Sequence, residues 1–160
     1  MDLEHLAFVP SGQCLLGQGA GARFVCSNPR PLLVDRFEVT RTDWKSWYEQ
    51  LGARRDPVYE PFLSTWKSET RIWPASFMTL VEARDYAVSR GLRLLTSREW
   101  LRIACGTSER PYDYPWGGKR ALSVANTLEL DLRNPLPVGT FEQGRNPLSI
   151  YDLSGNVWEW

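Results

Sequence analysis

Apolar residues recur along this chain at two different spacings, and the change from one to the other divides it into regions. Near the start, short apolar runs (Ala7-Phe8-Val9, Cys14-Leu15-Leu16, and Leu32-Leu33-Val34 continuing to Phe37) are separated by turn formers. Runs of this length, rich in branched and aromatic side chains, predict strands. Pro10-Ser11-Gly12 predicts a hairpin turn between the first two. Gly17-Gln18-Gly19-Ala20-Gly21 predicts a hairpin tip, because the lysine and following helix of a phosphate loop are missing.

From residue 40 onward the spacing becomes helical. Trp44, Trp47, Tyr48 and Leu51 fall at i, i+3, i+4 and i+7, which puts them on one face, and Gly52 supplies a stop. The start is Thr40 followed three residues later by Asp43, the pattern of a capping box. The same grammar returns twice. Thr79 and Glu82 lead through Ala83, Tyr86 and Ala87 to Gly91, and Thr96 and Glu99 lead through Trp100, Ile103 and Ala104 to Gly106. Only Leu92-Arg93-Leu94-Leu95 separates these two helices, so they are expected to pack as neighbours. After Thr107 periodicity vanishes. Tyr114-Pro115-Trp116-Gly117-Gly118, Asn134-Pro135-Leu136-Pro137 and Gly144-Arg145-Asn146-Pro147 are breakers, and so long an irregular stretch implies a functional or ligand-stapled segment or an incomplete domain.

A chain of 160 residues is long enough for one core, so residues 1–160 are expected to form a single domain. Eight tryptophans with 11 prolines and 12 glycines describe an ordered, loop-rich domain, since disordered segments are poor in aromatics. Trp44, Trp47 and Trp100 lie on apolar helix faces and are expected in the core; Trp66, Trp73 and Trp116 are the candidates for exposure. The 19 basic residues balance the 19 acidic ones, which leaves no overall field to attract nucleic acid or an anionic membrane. Without a run of about 18 apolar residues or a basic-then-apolar leader, the chain reads as soluble and cytoplasmic. Cys14, Cys26 and Cys105 form no CxxC pair, and buried thiols are the simplest reading. His5, the sole histidine, reads as a surface residue near a chain end.

Several stretches together resemble the formylglycine-generating-enzyme, or sulfatase-modifying-factor, family. They are Pro10-Ser11-Gly12 running to Leu16-Gly17, Glu38-Val39-Thr40 before an aromatic helix, Arg93-Leu94-Leu95-Thr96 with Glu99-Trp100, Tyr114-Pro115-Trp116-Gly117, Ala125-Asn126-Thr127, Pro137-Val138-Gly139, and Ile150-Tyr151-Asp152-Leu153-Ser154-Gly155-Asn156-Val157-Trp158-Glu159-Trp160. The resemblance implies an α+β fold of C-type-lectin-like type, low in regular secondary structure. It also implies an oxidoreductase in which two cysteines bind copper as Cu(I), and oxygen converts a sulfatase cysteine to formylglycine. In the family those cysteines lie beyond the position of Trp160, so the expectation is a C-terminally truncated domain, inactive alone, with self-association through uncovered apolar surface.

The resemblance further implies structural calcium. The segment from Asp152 to Glu159 would offer the Asp152 and Glu159 side chains with the Gly155 and Val157 carbonyls, a donor set of the hard oxygens that Ca2+ prefers. A second site would use Asn126, the Thr127 carbonyl and Asp131. Without the resemblance, Asp152 and Glu159 read as a solvated pair of acids in a surface loop. Two further functional readings accompany the sulfatase-directed oxidoreductase. One is a non-catalytic binding module of the same fold, recognising a protein or small ligand. The other is a relative of iron-dependent sulfoxide synthases, whose several metal-binding histidines contrast with the single His5.

Overall fold

Thr40, Thr79 and Thr96 each open a helix where the sequence predicts one. In the computed structural model, which describes residues 4–16, 24–52, 57, 63–64, 66–106, 112–118 and 120–160, these helices are α1 (Arg41–Gln50), α2 (Leu80–Ser89) and α3 (Ser97–Ala104). The residues from Gly17 to Gly21, read from sequence as a hairpin tip, lie outside the described residues. α2 and α3 carry complete capping boxes. Glu82 Oε2 accepts from the Thr79 N–H at 2.8 Å and Glu99 Oε2 from the Thr96 N–H at 2.8 Å, while each threonine oxygen accepts in return. α1 differs: Thr40 Oγ1 accepts from the Asp43 N–H and donates to Asp43 Oδ2. The shorter aspartate serves the hydroxyl instead of the N-cap amide.

Four short strands precede the helices. β1 (Leu6–Val9) pairs antiparallel with β4 (Leu32–Asp35), and β2 (Gly12–Leu16) pairs antiparallel with β3 (Phe24–Asn28). One two-stranded sheet is thus inserted between the strands of the other. Pro10-Ser11-Gly12 therefore does not close a hairpin; it is a corner that carries the chain from one sheet to the next. β3 has no alternating apolar pattern, and it is defined by pairing with β2.

Two apolar clusters hold these elements. Ala7 and Val9 of β1, Ile103 and Ala104 of α3, and Ile150 and Leu153 form the first, with Leu32, Val34, Leu95 and Trp100 against it. Trp44 and Tyr48 of α1, Leu63, Ala75 and Tyr86 of α2 form the second. The expected pairing of α2 with α3 is replaced by this division: Tyr86 of α2 packs tilted against Trp44 and edge-on to Trp47 of α1, whereas α3 packs on β3. Trp66 and Trp73 are half-buried, because their rings flank the Arg41 guanidinium at 5.4 and 5.3 Å, a cation–π arrangement that covers part of each ring.

Past residue 112 the described chain has neither strand nor α-helix, only the 3-10 turns Leu128–Leu130 and Glu142–Gly144. Side chains replace the missing backbone ladders. Buried Asn146 donates to the Ile103 carbonyl at 3.1 Å and accepts from the N–H groups of Leu148 and Ile150, both at 3.0 Å. Arg36 donates to the Leu148 and Ser149 carbonyls, and the Tyr151 N–H donates to the Arg36 carbonyl. These bonds satisfy backbone groups that would be costly to bury unpaired.

At the head of α3, Arg93 grips buried Glu99 through two bonds of 2.8 and 2.7 Å. The Arg93 bonds first, with help from Thr96, hold the Glu99 carboxyl at about 2, below its ordinary 4.5. A pKa lowered on folding contributes stability that is complete above about 4.5 and is lost as pH falls toward 2. A shift of this size corresponds to about 3 kcal/mol, and the 56% exposure of the Arg93 side chain reduces it by screening to about 2 kcal/mol. In urea unfolding followed across pH, Glu99→Gln should lose about 2 kcal/mol at pH 7 and approach the unsubstituted chain near pH 2.

Candidate functional site

Asp152 and Asn156 both adopt left-handed backbone, with φ of 56° and 58°, a conformation that Asp and Asn tolerate better than other non-glycine residues. Gly155 lies between them at φ 93°, and a Cβ there would stand 2.3 Å from the Asn126 carbonyl oxygen. The loop from 152 to 157 therefore presses its backbone directly onto residue 126, which only glycine permits at position 155.

Asn156 fastens the loop. Its side-chain nitrogen donates to Glu38 Oε2 at 2.6 Å and to the Leu136 carbonyl at 3.3 Å. Its side-chain oxygen accepts from the Leu136 N–H at 2.9 Å and from Asn126 Nδ2 at 3.1 Å, and its own N–H donates to the Asn126 carbonyl at 2.9 Å. Both donors and both acceptor positions of the amide are used. Glu38 completes the clasp by accepting from the Val157 N–H at 3.3 Å. The sequence reading placed Glu38 in a family-like motif without a role. Its one local signal is its position two residues before the Thr40 cap of α1.

Three carboxylates border this loop, each held by a different partner. Asp152 Oδ2 accepts from the Gly139 N–H at 2.7 Å, and Glu159 Oε2 accepts from the Trp100 indole N–H at 2.9 Å. Burial, followed by the negative charge of Asp152, pushes the Glu38 carboxyl up to about 8. Burial raises Asp152 as well, against the Gly139 bond. Glu159 is exposed as a residue, but its carboxylate is turned onto Trp100; burial and then Asp152 raise it, against the Trp100 bond. Among the described residues none of the three makes an ion pair. Uncompensated negative charge in a shielded site favours either protonation or a cation.

Both predicted calcium sets line one open cleft of about 900 Å3. The first set fits the ion by donor chemistry. Asp152 and Glu159 each commit one oxygen to a hydrogen bond and keep the other, and Gly155 and Val157 share the same cleft. No trio of His, Cys, Asp or Glu among the described residues converges on one point, so an ion here would need the backbone carbonyls. The second set is less free. Asp131 is paired with Arg133 at 2.6 Å, whereas Asn126 donates from its amide nitrogen to the Asn134 carbonyl and Asn156 and keeps its oxygen, the atom that would meet an ion. Copper does not fit these residues: Cys14 and Cys26 are fully buried on β2 and β3, and the cleft is lined by no cysteine.

An α+β chain with small sheets, three capped helices and an acidic loop clasped by an asparagine defines a class, and residues 2–160 match the sulfatase-modifying factor enzyme 1-like domain. The chain belongs to that family. It is similar to hercynine oxygenase of Mycolicibacterium smegmatis, at 34% identity over 95% of this chain and 44% of the relative. It is also similar to the inactive C-alpha-formylglycine-generating enzyme 2 of Bos taurus, at 34% identity over 82% of this chain and 59% of the relative. The solved structure of PvdO from Pseudomonas aeruginosa shares the fold with a TM-score of 0.70 at 21% identity, covering 97% of this chain and 69% of that one. The chain spans less than half of the hercynine oxygenase it matches. No helix among the described residues is long and apolar enough to cross a membrane.

Asn156→Ala should cost on the order of 3 kcal/mol in urea unfolding, because it strips partners from half-buried groups on three segments. Asn134→Ala, whose exposed side chain makes only a 3.4 Å bond to the Leu132 carbonyl, should cost less than about 0.5 kcal/mol.

Proposed function

We propose that these residues are the calcium-binding scaffold of an oxidoreductase domain of formylglycine-generating type, with a C-type-lectin-like arrangement, and that they do not perform the oxidation by themselves. The observation that carries this reading is the set of carboxylates around the 152–159 loop, Asp152 held by the Gly139 N–H, Glu159 by the Trp100 indole and Glu38 by Asn156, none with a basic partner among the described residues. Calcium bound there would neutralise that charge and hold the loop between its two ends. Asp152 would serve as a ligand while keeping the Gly139 N–H, and Glu159 while keeping Trp100. Glu38 already spends both oxygens on Asn156 and Val157, so it orients the loop and stays outside the donor set. The second set, Asn126, the Thr127 carbonyl and Asp131, would bind more weakly, since Arg133 must first release Asp131.

The substrate in this reading is a protein or peptide cysteine, as in a sulfatase. Copper would find no cysteine pair in the cleft. A non-catalytic binding module is the second reading. It is favoured by the likeness to a relative named as inactive and by Trp158 and Trp160, which stand exposed at the rim of the cleft as amphipathic anchors for a ligand.

Calcium chloride should raise Tm in thermal unfolding, by the equivalent of ~2.7 kcal/mol at a hundredfold excess over Kd. Magnesium, which demands a smaller octahedral shell, should do less. Asp152→Asn keeps an acceptor for Gly139 and should abolish the calcium shift, as should Glu159→Gln; a shift that survives both substitutions would refute the site. Separately, this chain incubated with Cu(I), oxygen and a sulfatase-type cysteine peptide should yield no aldehyde on hydrazide capture. Formylglycine formation would overturn the scaffold reading and leave the calcium site standing.

A further inference from the structure

Cys14 and Cys26 occupy directly opposed positions in the β2–β3 ladder, and both are fully buried. Opposed residues in an antiparallel pair have Cα atoms about 4.5 to 5.5 Å apart, inside the range of about 4.4 to 6.8 Å that a disulfide requires. Directly opposed side chains leave the same face of the β2–β3 pair, so the two thiols face each other across the ladder. Cys105 caps the C-terminal end of α3, the helix that packs on β3, and it is only half-buried. Negative charge on Cys105 is felt at Cys26, and negative charge on Cys14 at Cys105. The three do not converge as a metal set.

We propose that Cys14 and Cys26 form a convertible cross-strand dithiol/disulfide pair, and that Cys105 is the solvent-side thiol through which a small external disulfide oxidises it. Burial is the first reason the pair stays reduced otherwise. It pushes the Cys26 thiol up to about 11, with Cys14 and Cys105 adding to the shift, and the thiolate is the attacking form. Cys105 is also raised by burial, but it alone is within reach of solvent.

The exchange balances in three displacements. Cys105 attacks the external disulfide RSSR, giving a mixed Cys105 disulfide and one RSH. Cys14 attacks the Cys105 sulfur, giving a Cys14–Cys105 bond and the second RSH. Cys26 attacks the Cys14 sulfur, leaving Cys14–Cys26 and returning Cys105 to its thiol. Each departing thiolate takes the proton of the attacking thiol; two cysteines are oxidised by two electrons and one external disulfide is reduced. The product resides on Cys14–Cys26 because the ladder holds those two in register, whereas no ladder constrains Cys105.

The test uses the folded chain in glutathione buffers of rising oxidised-to-reduced ratio, quenched with acid, denatured and alkylated with a maleimide. The expected result is a fall from three alkylatable cysteines to one, with peptide mapping that links Cys14 to Cys26. Cys105→Ser should reach the same product roughly tenfold more slowly, having lost the accessible nucleophile, and circular dichroism checks that it is folded. Three alkylatable cysteines at every ratio in the unsubstituted chain would overturn the proposal, as would a final disulfide that contains Cys105. An unchanged oxidation rate in folded Cys105→Ser would overturn the relay.

Discussion

The side-chain amide of Asn156 is the point on which the irregular half of this molecule depends. Residues 38, 126, 136 and 156 come from four segments with no shared strand or helix, and four hydrogen bonds to one amide bring them together. A β-sheet would distribute such a task over many backbone pairs. Here one residue carries it, in a left-handed conformation beside a glycine that cannot be enlarged. The arrangement tolerates little change, because any smaller side chain leaves polar groups on three segments unpaired.

That constraint also shapes the electrostatics. The clasp draws Glu38 inward to serve Asn156 and Val157, and the same folding of the loop brings Asp152 and Glu159 into the same region. The charge of Asp152 disfavours ionisation of both other acids, and among the described residues no lysine or arginine pairs with any of the three. Hydrogen bonds from Gly139 and Trp100 offset part of the cost. In the proposed reading a divalent cation would remove the rest, and the order of the loop would then be linked to ion binding.

The parts of the fold legible in the sequence were those written locally. Thr79 with Glu82 and Thr96 with Glu99 name two helix starts by a reciprocal hydrogen-bond pattern that needs nothing from the rest of the chain. The strand pairing was not legible, because Pro10-Ser11-Gly12 has the same composition whether it closes a hairpin or turns a corner between sheets. β3 is recognised only by its partner. Asp152 and Glu159 are singled out by resemblance alone; spacing leaves them as a solvated pair. Glu38 escaped notice because its partners lie more than a hundred residues away. The cysteines present the same lesson, since Cys14 and Cys26 are distant in sequence and opposed only once the ladder is formed.

Terbium can stand in for calcium, and Trp100, whose indole meets Glu159, is placed to transfer excitation to an ion held there. Tryptophan-excited terbium luminescence of the intact chain therefore reports on the 152–159 loop directly. The account predicts sensitised emission that calcium competes away and that Asn156→Ala weakens by loosening the loop. Absence of emission, or emission indifferent to both calcium and Asn156, would contradict it.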